Sequence, residues 1–222
     1  MQSVRIAVLA LQGAFRAHVD RLTELGVDAF EARTPDDLDG IDGVVLPGGE
    51  STTMSNLLSS SGLFDELKHR LADGLPAFGT CAGLILLARE VLDGRDDQRS
   101  FGVLDATVRR NGYGRQLDSF ESELDVVGLD RPLHGVFIRA PRIETLGLDV
   151  DVLATHHDVP VLIRDGPVLA AAFHPELTDD GRLHSLFVDL VVAAAAGGPG
   201  GADGPARAFE LSERRVDDPH HD

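Results

Sequence analysis

Residues 76–84 read Pro76-Ala77-Phe78-Gly79-Thr80-Cys81-Ala82-Gly83-Leu84, a short β-rich run that ends in a tight Gly-x-Cys-x-Gly turn before an apolar stretch, 84–92. The apolar stretch predicts a helix. A strand that turns abruptly into a helix is the building unit of a parallel sheet. Upstream the same rhythm repeats: apolar runs at 4–9, 27–32 and 44–46 alternate with a helical pattern at 14–25 and a helix expected from Ser51. In the first helical pattern Phe15, Val19, Leu22 and Leu25 recur at three- and four-residue spacing, which predicts the face that packs on the sheet, and Gly26 supplies a stop. Between 101 and 173 long helices disappear. Strands are expected at 103–108, 124–127, 136–138, 159–163 and 168–173, as antiparallel additions to the parallel sheet. A last apolar helix at 183–196 returns the chain to the sheet. The expected fold class is α/β, three-layer, with a mostly parallel central sheet, flanking helices and antiparallel additions.

The expected domains are a single folded unit over 1–196 and a tail over 197–222, rich in Gly, Pro, Asp and Arg, whose few apolar residues bury too little surface to offset ordering entropy. His220 and His221 lie in that tail beside acidic residues and read as solvated rather than metal-binding. The chain lacks the roughly 18 uninterrupted apolar residues of a spanning helix, and its start lacks a basic region and cleavage site, so a cytoplasmic protein is expected. The net charge of −17 argues against nucleic-acid and anionic-membrane partners. Lys68 is the only lysine, and the balance of arginine and aspartate is similar to that of proteins from salt-loving organisms. High-salt adaptation is the reading adopted, with an ordinary acidic protein as its alternative. Cys81 is the only cysteine, which removes an internal disulfide, a Cys-based zinc knuckle and an iron-sulfur site from consideration.

Thiol chemistry therefore rests on Cys81. At a strand-to-helix turn a nucleophile is held in a strained backbone conformation, and Gly79 and Gly83 let the chain pass closely on either side. The helix N-terminus behind Cys81 favours the anion, and the Ala82 amide points where an oxyanion would form. An ordinary turn with a buried cysteine is the competing interpretation. A thiol nucleophile needs a base, and His174-Pro175-Glu176 follows the apolar run 168–173 as if mounted on a strand end. Residues two apart in an extended chain point the same way, so Glu176 can orient His174. His156 and His157 are the rival pair, but no glutamate follows either at two positions. The third stretch is Pro47-Gly48-Gly49-Glu50-Ser51-Thr52-Thr53, where consecutive glycines can bring a second oxyanion donor close to a ligand. No GxxxxGK[ST] pattern exists, so a phosphate loop has little support, while a plain turn with Ser51 capping the helix stays open.

Together PGGEST, GTCAGLILLA and AFHPELT resemble the class I glutamine amidotransferases, and they occur in the order of that family. The N-terminal LALQGA and the RRNGYGRQ stretch at 109–116, followed by DSFE at 118–121, are similar to one branch, the glutaminase subunits of pyridoxal 5'-phosphate synthase. The resemblance runs over about 4–194. It implies attack by Cys81 on the glutamine carboxamide, a glutamyl thioester, and proton transfer by His174 oriented by Glu176. By the same resemblance Gly49, Glu50, Ser51, Arg110, Ile138 and Arg139 bind L-glutamine, and Gly48, Gly49 and Ala82 form the oxyanion hole. Gln12, Arg115 and Gln116 are the expected sensors of a partner, the synthase subunit that uses the ammonia to build pyridoxal 5'-phosphate. No cofactor or metal is implied. The alternatives are a glutaminase for another synthase, a γ-glutamyl hydrolase acting alone, and a non-catalytic docking subunit.

Overall fold

The computed structural model describes residues 4–95, 97–112 and 119–197. Arg115, Gln116 and the tail from 198 onward, with His220 and His221, lie outside them.

The first half alternates as the apolar runs predict: β1 (Arg5–Leu9), α1 (Phe15–Glu24), β2 (Asp28–Ala32), β3 (Gly43–Leu46), α2 (Ser51–Ser60), α3 (Leu63–Ala72), β4 (Ala77–Thr80) and α4 (Ala82–Leu87). There follow β5 (Ala88–Leu92), β6 (Leu104–Arg109), β7 (Ser119–Leu124), β8 (Leu133–Ile138), β9 (Arg142–Leu146), β10 (Asp151–His156), β11 (Val159–Asp165), β12 (Val168–Ala171) and α5 (Arg182–Ala195). Short 3-10 turns occupy Pro35–Leu38 and Pro175–Leu177.

Seven strands form the central sheet in the order β10-β11-β12-β4-β3-β1-β2. From β12 to β2 every pairing is parallel, and β10 and β11 add antiparallel at one edge. β3, β4 and β12 are buried along their whole length, as strands covered by helices on both faces must be. The register sets Thr80 beside Ala171 and Gly79 beside Leu46, so the chain leaves β4, β12 and β3 at neighbouring points on one sheet end. That end is where open α/β sheets collect ligands. Two smaller sheets, β5-β6-β9 and the hairpin β7-β8, stand beside it.

Three expectations change. The helix expected at 84–92 stops at Leu87, because Ala88 turns extended (φ −59°, ψ 145°) and 88–92 pairs with β6 as β5. An available strand partner outweighs the helical reading of a short apolar run, which periodicity alone does not resolve. The strand expected at 124–127 lies earlier, ending at Leu124, β9 was hidden by interleaved charges, and β10 was not among the expected strands. On α1, Leu22 is fully buried, and Phe15 and Val19 pack against the core, but Leu25 is 40% exposed; His18, absent from the apolar stripe, is fully buried. Among the described residues no helix is long and apolar enough to cross a membrane.

Candidate active site

Cys81 sits where β4 meets α4, with φ 49° and ψ −102°. A positive φ is costly for a side chain with a Cβ, and such strain persists only where the surroundings over-determine it. Here the surroundings are glycines. A Cβ at Gly83 would run into the Leu46 carbonyl of β3, and one at Gly79 would lie 2.6 Å from Leu87 and 2.7 Å from the Gly83 backbone. The chain doubles back too tightly for any side chain at these two positions, which presents Cys81, 7% exposed, at the sheet end.

His174 follows β12 and meets Cys81 there. The His174 amide donates to the Val136 carbonyl at 2.8 Å, which pins the β12 end to β8. Its Nδ1 lies 2.8 Å from Glu176 Oε1, and the Glu176 side chain is fully buried. The geometry behind this contact differs from the extended chain that the sequence suggests: Pro175–Leu177 is a 3-10 turn, and Glu176 reaches back from it. Burial pulls the His174 pKa down, but hydrogen bonds and charge from Cys81 and Glu176 outweigh it and hold the imidazole up at about 10. Burial pushes the Glu176 carboxyl up, and the His174 hydrogen bond with nearby positive charge overcomes that, leaving it below the usual range. These shifts describe a charged imidazole held between the sulfur of Cys81 and the Glu176 carboxylate. His156 and His157 stack away from this centre, beside Phe120 and Phe137.

The glycine loop closes one side. A Cβ at Gly48 would strike the His174 ring and lie 3.4 Å from the Cys81 Cβ, so only glycine lets this backbone press against both side chains. The loop at Gln12 and Gly13 packs on its other side: Gln12 Oε1 accepts from the Glu50 amide at 3.2 Å, and a Cβ at Gly13 would collide with the Gly48 carbonyl. Ala82 opens α4, placing its amide among those without an intrahelical partner. α4 is only six residues long, shorter than the sequence suggests, so its dipole is correspondingly small.

Glu50, not Ser51, caps α2. Its carboxylate accepts from the Thr52 and Thr53 amides at 3.1 and 2.7 Å, and Arg110 Nη2 lies 2.6 Å from Oε1. Desolvation raises the Glu50 pKa, but the Thr52 and Thr53 hydrogen bonds and the Arg110 charge bring it to about 2. Ser51 is buried, its hydroxyl 3.5 Å from Gln98 Oε1. The Ile138 carbonyl lies 3.9 Å from Cys81 Sγ, and Arg139 follows it at φ 44°. Ile138 at the end of β8 thus meets the thiol, while Arg110, just after β6, joins Glu50 at the start of α2. Among the described residues no group of His, Cys, Asp and Glu is arranged to hold a metal.

Motif reasoning missed a buried histidine pair behind Glu176. His18 Nε2 lies 3.4 Å from Glu176 Oε2 and 3.3 Å from Thr80 Oγ1, and its Nδ1 lies 2.9 Å from His184 Nε2. The available sign was position: His18 falls four residues before Leu22, on the buried face of α1.

Residues 8–193 match the SNO glutamine amidotransferase family. The "Pyridoxal 5'-phosphate synthase subunit PdxT" of Mycobacteroides abscessus is 55% identical over 188 residues, 85% of this chain and 97% of that protein. The protein of the same name from Frankia alni is 52% identical over 198 residues, 89% of this chain and all of that one. A crystal structure of a glutamine amidotransferase, 49% identical, superposes with a TM-score of 0.80 over 84% of this chain and 98% of its own. The structure of PurLQS from Thermotoga maritima, 16% identical with a TM-score of 0.60 over 85% and 99% of the two chains, shares the fold. By sequence match and by fold, this chain belongs to the SNO glutamine amidotransferase family.

Proposed function

We propose that this chain is the glutaminase subunit of a pyridoxal 5'-phosphate synthase, hydrolysing L-glutamine with Cys81, His174 and Glu176. The observation that carries the reading is Cys81 at a positive-φ elbow against a His174 that is hydrogen-bonded to the buried Glu176. Two relatives that match nearly end to end bear the name of the synthase subunit, which supports the substrate and the partner.

The thiolate sulfur of Cys81 attacks the carboxamide carbon, and the carbonyl electrons move to oxygen. Amides of Ala82 and of the Gly48–Gly49 loop stabilise that oxyanion. On collapse the C–N bond breaks, and the His174 imidazolium gives its proton to the departing nitrogen, releasing ammonia and leaving the glutamyl thioester. Neutral His174 then takes a proton from water as its oxygen attacks the thioester. The C–S bond breaks, glutamate leaves, and the thiolate and imidazolium are restored. Glu176 accepts from Nδ1–H throughout, keeping Nε2 directed at the reacting atoms. Glu50, Ser51, Arg110 and Arg139, with the Gly49 and Ile138 backbone, hold the amino-acid end of glutamine. An arginine fork suits the α-carboxylate, and Arg110 would exchange or share its contact with Glu50 to reach it.

The glutaminase domain is taken as residues 1–196, the unit read from the sequence, apart from 197–222. The partner is the synthase subunit that consumes the ammonia, and Gln12, Arg115 and Gln116 report its docking. A catalytic thiol without a disulfide partner works in the reducing cytoplasm. The deciding experiment measures ammonia release from L-glutamine by the chain mixed with a cognate synthase subunit. Release that disappears in Cys81→Ala supports the reading, and none from the wild type refutes it.

A further inference from the structure

Glu176 uses one carboxylate oxygen to hold His174. The other, Oε2, is buried with no hydrogen-bond partner, and His18 Nε2 lies 3.4 Å from it. A buried carboxylate oxygen left unsatisfied is expensive, so a donor aimed at it matters. We propose that His18 is a positioning residue for glutamine hydrolysis: its Nε2–H, in a tautomer set by His184, holds Oε2 of Glu176 and ties it to Thr80 on the nucleophile strand. This rests on the glutaminase reading above.

The proton positions follow from what each atom can do. Glu176 Oε2 is an acceptor, so the His18 nitrogen facing it carries the hydrogen, shared with Thr80 Oγ1 at 3.3 Å. His18 Nδ1 is then an acceptor and takes the Nε2–H of His184 at 2.9 Å. That leaves His184 Nδ1 bare, consistent with its having no hydrogen-bond partner. Both rings are fully buried and neutral: desolvation drives the His18 pKa down against the pull of Glu176, and desolvation, with the cost of a second positive charge beside His18 and Arg21, takes His184 to about 3. The titratable groups around the pair are Glu176 and His174 from the 174–177 segment, His18 and Arg21 on α1, and His184 on α5. The chain of contacts therefore runs from α5 through α1 to the carboxylate, then to the base and the thiol.

The plain alternative is a core histidine that merely packs. To decide, steady-state kcat and KM for L-glutamine are measured in the complex with a cognate synthase subunit from pH 5.5 to 9. His18→Leu is expected to lower kcat about tenfold to a hundredfold with KM within about twofold, and to move the acid limb upward as Glu176 protonates more readily. His18→Gln, whose amide N–H can take the place of Nε2–H, restores most of the rate. In a Glu176→Gln background, His18→Leu adds little, because the residue acts through that carboxylate. Nitrogen-15 NMR of the full chain reads the tautomer without any substitution: His18 is protonated at Nε2 and bare at Nδ1. Full kcat in His18→Leu, an equal fold-loss in both backgrounds, or the reverse tautomer overturns the inference and leaves the glutaminase reading standing. A wild-type complex that releases no ammonia removes both.

Discussion

Cys81, His174 and Glu176 differ in how replaceable they are. Cys81→Ala removes the nucleophile while leaving a small residue at the turn, so hydrolysis is expected to fall at least about a thousandfold with the far-ultraviolet circular dichroism unchanged. His174→Asn is expected to match it, whereas Glu176→Gln keeps residual activity because an orienting group costs less to remove than the base itself; ammonia release by the complex checks all three. The buried histidines add a stability prediction. His184 titrates at about 3 when folded but near the ordinary 6.5 when unfolded, so the unfolded chain binds the proton first as pH falls. Its contribution is fully present above about pH 6.5 and is lost as pH falls toward 3, at up to about 1.4 kcal/mol per pH unit. The urea midpoint of the wild type should fall from pH 7 to pH 5 more steeply than that of His184→Leu. Parallel slopes would show that the folded protein protonates this ring as readily as the unfolded chain does.

At the scale of elements, the site depends on backbones that touch. Gly83→Ala would drive a methyl group into the Leu46 carbonyl, forcing α4 away from β3. Overpacking of this kind costs roughly 1–3 kcal/mol, and here it would also move the elbow, so a lower urea midpoint should accompany lost glutaminase activity. The cap on α2 makes a second case. Glu50→Ala removes the acceptor for the Thr52 and Thr53 amides, at about 1 kcal/mol, and frees Arg110 from its ion pair. The expected result is a modest drop in thermal midpoint with a larger rise in KM for glutamine, measured in the same preparation. Unchanged KM would take Glu50 out of the substrate site and leave it as a cap.

For the molecule as a whole, the close packing of the Gln12–Gly13 loop on Gly48 and Glu50 offers a path from the surface to the Gly48–Gly49 loop. Adding a cognate synthase subunit is expected to raise the glutaminase rate, and Gln12→Ala to blunt the rise; one misplaced oxyanion donor costs about a hundred- to a thousandfold in rate. Equal rates with and without bound synthase would end that expectation. How much of this was legible beforehand divides along physical lines. The parallel βα rhythm, the elbow glycines and the meeting of Cys81, His174 and Glu176 could be read because local demands write them into short stretches: burial on both faces makes apolar runs, and a positive-φ turn between close backbones requires glycine. The end of α4 and the strand β9 could not, since each depends on pairing with β6, which lies elsewhere in the chain. His18 and His184 are 166 residues apart, and nothing local marks either. Only the packing of α1 and α5 against one sheet brings them behind Glu176, where loss of water makes two ordinary histidines neutral partners of a buried carboxylate.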